Sequence, residues 1–332
     1  MTALTPEQIQ LLTRLEGVFM PYATKRRNTI FEPHRDYARF VHYTSAEAAL
    51  SIIKSKRMWM RNTNCMTDYR EVQHGFEILN KSLSHEIRKS QLFQALDLCS
   101  PNAAPEAIGL FNQWWNDIRF NTYIASISEH DDREDLHGRL SMWRAFASSN
   151  VARVALVLRI PKLGAGSAGL NLMFSPVAYL NEGEVHTELD TIIQNIRTNC
   201  GFLRSVDRQF IIGMVFAMLL AGVVCLKHEG FHEEREWRVI YSPKRTPSSL
   251  MESSVEIIAG VPQIIHKIPL DTAVSATLAD IDLSRMFDRL IIGPSPYPWP
   301  MYEAFVAALK EINVPNAEGQ VFTSCIPIRP GS

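Results

Sequence analysis

Residues able to do chemistry fall in a few stretches of the 332-residue chain. The first is His228-Glu229-Gly230-Phe231-His232, which fits the HExxH spacing. That spacing sets two histidines one helical turn apart to hold zinc, with the glutamate as base. It needs an unbroken helix. Gly230 lies in the middle and a strand-like run begins at Trp237, so the helix has no room to continue, and no third ligand stands at a helical site downstream. We read the segment as a polar helix terminus and expect no metal. A zinc hydrolase acting through His228, Glu229 and His232 ranks third among the functional readings.

Phe231 to Tyr241 (FHEEREWRVIY) is more informative, because three glutamates gather before and at the start of an apolar strand. Glu236 enters that strand, where a carboxylate is costly unless it is paired or used. Arg235 and Arg238 are its neighbours in sequence, and their alternating directions leave both a structural ion pair and an active anion open. Three further groups share this chemical potential: His42-Tyr43-Thr44 at the end of a strand, Tyr123 and Ser126 in another, and Met142-Trp143-Arg144-Ala145-Phe146, which gives a helix an aromatic and cationic face. Taken singly, each reads as packing, since histidine or aromatics on such elements are usually core.

The elements that position these residues follow from periodicity and punctuation. Helices are expected at Pro6–Phe19, Ala46–Ser55 (with Thr44 or Ser45 as N-cap), Asp68–Leu98, Ala104–Asn116, Leu140–Ala147, Val185–Arg204, Val206–Leu226 and Tyr302–Ile312. Strands are expected at Phe40–Tyr43, from Met58, and at Thr122–Ser128, Val151–Ile160, Leu172–Tyr179, Glu236–Tyr241, Ile264–Pro269, Arg289–Gly293 and Gln320–Cys325, with a loop over Ser242–Ser254. The fold class is α+β, with an N-terminal accessory helix in residues 1–36 and one domain over 37–328 that carries a helical insertion at about 68–118.

Composition narrows the function classes. Hydrophobic residues make up 46% of the chain, enough for a packed core, and 34 Lys plus Arg against 35 Asp plus Glu leave no global field toward nucleic acid or anionic lipid. Five widely spaced cysteines (Cys65, Cys99, Cys200, Cys225, Cys325) without a CxxC pair read as reduced thiols in a cytoplasm. Met1–Leu15 lacks the basic start and apolar run of a signal peptide. Phe210–Leu226 is apolar throughout, yet falls short of the about 20 residues a membrane-spanning helix needs, and is expected as a buried core helix with no membrane partner.

In order along the chain, HYTS with LSIIKSKRMWMRN, MTDYRE, YIASISE, MWRAFA, GFHEEREWRVIY and LIIGP resemble the bacterial domain-of-unknown-function family numbered 2971, over about Phe40 to Pro294. The first strand–helix unit and the strand that begins at glutamate also resemble the His-Tyr-Glu class of ADP-ribosyltransferases. That second resemblance implies an ADP-ribosyltransferase-like mixed sheet with added helical layers, and NAD as substrate. It implies His42 at the nicotinamide-side ribose, Tyr123 packed at the nicotinamide and Glu236 on the ribose hydroxyl, with Trp143 or Phe146 stacking on a ring. Tyr43, Thr44 and Ser126 would line the same NAD site, and Arg61 or Arg144 would meet the pyrophosphate, since the chain has neither a P-loop nor a GxGxxG turn. Phe146 stands where many members of the unknown-function family carry tyrosine, and Glu129–Asp135 is unusually charged for a phosphate-side rim.

The leading expectation is an ADP-ribosyltransferase or NAD glycohydrolase, in a toxin or phage-defence setting, with a protein or nucleic-acid acceptor. The second is a non-enzymatic nucleotide-sensing or protein-binding module of the same fold. His42, Tyr123 and Glu236 are expected to converge on one cleft, because each lies at or near the end of a strand.

Overall fold

Two apolar cores lie on opposite sides of one mostly antiparallel sheet, so the chain is mixed α and β. The computed structural model describes residues 5–31, 35–66, 71–145, 151–162 and 167–327. Its strands are β1 (Tyr37–Ser45), β2 (Arg57–Asn62), β3 (Tyr123–Glu129), β4 (Arg153–Pro161), β5 (Met173–Pro176), β6 (Ala178–Tyr179), β7 (Leu226–Lys227), β8 (Glu236–Tyr241), β9 (Glu252–Ile258), β10 (Val261–Pro269), β11 (Phe287–Ile292) and β12 (Val321–Thr323). The helices are α1 (Pro6–Phe19), α2 (Pro21–Ile30), α3 (Ala46–Ser55), α4 (Glu71–Ser84), α5 (Glu86–Asp97), α6 (Ala103–Phe120), α7 (Leu140–Ala145), α8 (Glu182–Thr198), α9 (Cys200–Leu203), α10 (Arg208–Val224), α11 (Leu283–Met286) and α12 (Pro298–Glu311).

Strand β3 is the branch point. One of its edges pairs with β8, from Tyr123 opposite Tyr241 to Ser128 opposite Glu236. Two strands share the other edge: β1 takes Ser128 and Glu129, and β2 takes Tyr123 and Ile124. Between them, residues 125–127 have no ladder partner on that edge among the described strands, so the sheet forks there. One arm continues through β4, β11 and β12, the other through β10 to β9, while β8 carries β5.

Alternation along the strands decides what each face meets. Tyr123, Ala125, Ile127, Trp237 and Tyr241 join the core covered by α3 and α12. Ile124 and Ile240 join the other core, built mainly from α4, α5, α6, α8 and α10. The apolar run forms α10, which buries ten side chains and is N-capped by Asp207, whose carboxylate accepts from the Gln209 N–H at 2.8 Å. Among the described residues, no helix is long and apolar enough to cross a membrane.

Several boundaries depart from expectation for local reasons. Asp68–Leu98 is two helices broken at His85, with 67–70 outside the described residues. The long helix expected from Val185 ends at Thr198, and α9 follows. The expected loop Ser242–Ser254 is shorter, because β9 begins at Glu252. The N-terminal helix expected as accessory sits in the core, where α1 buries Leu15, Val18 and Phe19. The polar helix α2, which carries no apolar period to announce it, sends Arg26 to buried Glu129. Ser45, and not Thr44, caps α3, accepting from the Ala48 N–H at 3.1 Å.

Candidate functional site

Glu236 opens β8 and is buried. Its Oε1 accepts from Ser126 Oγ at 2.5 Å and Arg238 Nε at 2.9 Å, and its Oε2 from Arg238 Nη2 at 3.2 Å and Lys227 Nζ at 3.5 Å. Its backbone N–H donates to the Tyr179 hydroxyl at 2.8 Å. The two-residue spacing of Glu236 and Arg238 puts both on one face of the strand, opposite Ser128 and Ser126. Burial alone would raise the pKa of this carboxyl. The Arg238 guanidinium, Lys227 and the Ser126 hydroxyl outweigh burial and hold it at about 2. Lys227 also donates to Glu234 at 2.8 Å, and Arg238 donates to the Val224 carbonyl at the end of α10, so the cluster ties the sheet to the helical layer.

His42 reaches the same residue, Ser126, from the fork. Its Nδ1 lies 2.9 Å from the Ser126 carbonyl oxygen, a group that the split between β1 and β2 leaves without a ladder donor. A carbonyl only accepts, so Nδ1 carries the proton and Nε2 keeps its lone pair. Burial lowers the His42 pKa, partly offset by that hydrogen bond, and the ring is neutral near pH 7. Ser126 therefore joins His42 through its backbone and Glu236 through its side chain.

Tyr123 does not join them. In the β3–β8 register it pairs with Tyr241 and packs edge-on against His266, 4.3 Å between ring centroids, on the Trp237 face of the sheet. Glu236 faces the other way and lies five residues along the strand pair, about 17 Å at the usual rise. His42 and Glu236 thus share only Ser126, met through its carbonyl and its hydroxyl, and not one face: His42 alternates with Val41 and Tyr43, which lie on the Glu236 side.

Tyr43 and Trp143 share the Glu236 side of the sheet with Val41 and meet edge-on at 4.9 Å. The buried Tyr43 hydroxyl accepts from the Arg139 N–H at 2.7 Å, and burial pushes its pKa up to about 12. Trp143 donates its indole N–H to the His137 carbonyl at 2.7 Å. Arg139 donates onward to the carbonyls of Glu233, at 2.8 Å, and Glu234, at 3.1 Å, connecting the aromatic pair to the segment that leads into Glu236. Thr44 is partly buried on β1 and Arg144 is exposed on α7. Arg61 is engaged elsewhere: it donates to the Cys65 carbonyl and, at 3.4 Å, to Gln263. Phe146 lies outside the described residues.

The acidic loop is neutralised from within the fold. Arg39 pairs with Asp132, Asp135 and buried Asp288, Arg139 pairs with Glu134, and Arg289 pairs with Asp135. The HExxH residues open a 3-10 segment, Glu229–Glu234, with His228 as its N-cap, and both histidines serve its turns. His228 Nδ1 accepts from the Gly230 N–H at 3.1 Å, and His232 Nδ1 lies 3.1 Å from the Glu229 carbonyl oxygen. The helix that a zinc pair requires is not formed there.

Lys227, Tyr179 and Arg139 were not read as site residues in sequence, and Glu234 only as one of three clustered glutamates; Lys227 carries a signal, a lone cation closing an apolar run, and Tyr179 and Arg139 carry none. Residues 142–239, under a third of the 332-residue chain, match the model of a family described as Protein of unknown function (DUF2971). The matched stretch includes Trp143, Lys227, Glu236 and Arg238 and excludes His42, Tyr123 and Ser126. No curated protein and no solved structure matches the chain.

Proposed function

We propose that the chain is an NAD-consuming enzyme, an ADP-ribosyltransferase or NAD glycohydrolase, whose sheet is an ADP-ribosyltransferase-like core and whose reacting anion is Glu236. The observation that carries this reading is the buried, ionised Glu236 beside the fork, held by the hydroxyl of Ser126, whose carbonyl meets His42. Cleaving the nicotinamide–ribose bond develops positive charge on the ribose. A carboxylate held ionised at all physiological pH, in a site that shields it from water, stabilises that charge. Neutral His42, with Nε2 as an acceptor, suits a ribose hydroxyl. Tyr43 and Trp143, on the Glu236 side of the sheet, are better placed than Tyr123 to wall in a ring. The acceptor of ADP-ribose is a protein, a nucleic acid or water, and a toxin or phage-defence role in the cytoplasm suits the resemblance.

A specific observation favours a second reading, a nucleotide-sensing or protein-binding module. Both Glu236 oxygens are already occupied by Arg238, Lys227 and Ser126, as they are in a structural ion pair. Incubating the protein with NAD and following nicotinamide by mass spectrometry separates the two. The enzyme reading expects free nicotinamide that accumulates with protein concentration. Saturable NAD binding without any nicotinamide overturns it in favour of the module.

A further inference from the structure

Two thiols from distant parts of the chain meet in the helical layer. Cys99 follows Leu98, the C-cap of α5, and is buried, with its Sγ donating to the Leu96 carbonyl at 3.2 Å. Cys200 opens α9, is partly exposed, and packs against the same core. Its Sγ lies 3.5 Å from the carbonyl oxygen of Leu98, in the peptide group that leads into Cys99. A trans peptide sets that oxygen about 2.8 Å from the Cα of the next residue, so Cys200 Sγ stands at most about 6.3 Å from Cys99 Cα.

Arg204 Nε donates to the same carbonyl at 2.9 Å, which brings a cation to the pair. Burial pushes the Cys99 thiol up to about 11, the Cys200 thiol beside it adds to the rise, and Arg204 pulls the other way. The two sulfurs therefore differ in access. A reagent in solution reaches Cys200, while Cys99 waits behind it as a thiol that only a neighbour can meet.

We propose that Cys99 and Cys200 are a reversible modification site, at which a small disulfide of the glutathione class is exchanged for an internal disulfide between α5 and α9. Cys200, as thiolate, attacks one sulfur of the reagent and expels one glutathione thiolate, which takes up a proton. Cys99 then loses its proton to solvent and attacks Cys200 Sγ, breaking the mixed disulfide and releasing the second glutathione. Two protein thiols are oxidised, and one glutathione disulfide is reduced to two thiols. The bond closes a loop of about 100 residues, which restricts the unfolded chain. That loop holds α6, β3, α7, β4 and α8, and with β3 the Ser126 that meets Glu236. The site does not rest on the NAD reading.

The test treats the fully reduced chain with glutathione disulfide, blocks the remaining thiols with N-ethylmaleimide before denaturation, and maps tryptic peptides by mass spectrometry without reduction. Wild type is expected to yield a cross-link between peptide 90–119, which carries Cys99, and peptide 198–204, which carries Cys200. The cross-linked chain should unfold at a higher temperature than the reduced one and revert with dithiothreitol. Cys99→Ala should strand the intermediate, so that Cys200 carries at least about tenfold more glutathione than in wild type, where the neighbouring thiol resolves it. Cys200→Ala should leave Cys99 unmodified, because burial hides it from the reagent. A Cys200–glutathione adduct that persists in wild type without the cross-link overturns the site. So do two free thiols at Cys99 and Cys200 under conditions that modify exposed Cys325. The cross-link is read in wild type, so the test stands whether or not either variant folds.

Discussion

The two faces of the β3–β8 pair are built on opposite principles. On one, Trp237 packs edge-on against Phe40 at 5.3 Å, and Tyr123, Ala125 and Tyr241 extend the same apolar surface. On the other, Glu236 and Arg238 lie against Ser126 and Lys227, charged and buried at once. The first face is held by area removed from water, and truncation costs whatever area and cavity it leaves. The second is held by mutual neutralisation, so its members stand or fall together. A buried ion pair adds little over an apolar pair of the same shape, yet losing one member strands the other. A fold that keeps such a cluster beside an unpaired stretch of sheet edge gains a fixed, ionised carboxylate there.

The largest effect is expected on the apolar face. Trp237→Ala should destabilise the protein by about 5 kcal/mol, the upper end for a large aromatic in a closed core. It also removes the indole N–H that donates to Glu129 at 2.8 Å. Urea denaturation checks this, and a loss under about 2 kcal/mol would mean that this face relaxes around the cavity.

On the charged face, Arg238→Met should cost about 3 kcal/mol, because Glu236 keeps only Lys227 and Ser126. Combining it with Glu236→Gln should cost clearly less than the sum of the two single changes. Additive losses in the same denaturation series would show that the two side chains do not act as a pair.

Acid titration sharpens the contrast. The folded Glu236 carboxyl sits at about 2 against an ordinary 4.5, so the stability it contributes is complete above pH 4.5 and is lost as pH falls toward 2. Glu236→Gln should therefore flatten the acid limb of stability against pH in that window. Trp237→Ala should lower the curve across the whole pH range, above that window as well as within it. An acid limb unchanged by Glu236→Gln would contradict the assigned ionisation.

The smallest effect is expected from Ser126→Ala, about 1.5 kcal/mol for one hydrogen bond to a charged group. His42 should keep its depressed pKa in this variant, because its partner is the backbone carbonyl and not the hydroxyl. A histidine titration by NMR that moves with the serine side chain would show that the hydroxyl, too, holds the ring.

Local patterns were legible and face assignments were not. Pro6–Phe19, Ala46–Ser55 and Glu236–Tyr241 form with the expected bounds, because capping residues and periodicity act within a few positions. Strand β9 was not expected at all, since Glu252 to Ser254 are polar and follow a stretch rich in proline and serine. Glu236 as a buried carboxylate with Arg238 as a possible partner could be read from their spacing. That Ser126 meets both Glu236 and His42 could not, because the first contact spans 110 residues and the second 84. The same non-local register turns Tyr123 away from Glu236: one residue of slip between β3 and β8 would exchange the faces, and neither strand's sequence alone encodes that choice.

The central claim is that Glu236 acts on charge that develops only during the reaction. Single-turnover release of nicotinamide from NAD by wild type and by Glu236→Gln, each first verified as folded by circular dichroism, tests it most directly. The account predicts that the variant releases nicotinamide about a hundredfold to a thousandfold more slowly while binding NAD with little change. A variant that matches the wild-type rate, or a wild type that binds NAD and releases no nicotinamide, would contradict it and leave Glu236 as the anchor of a structural ion pair.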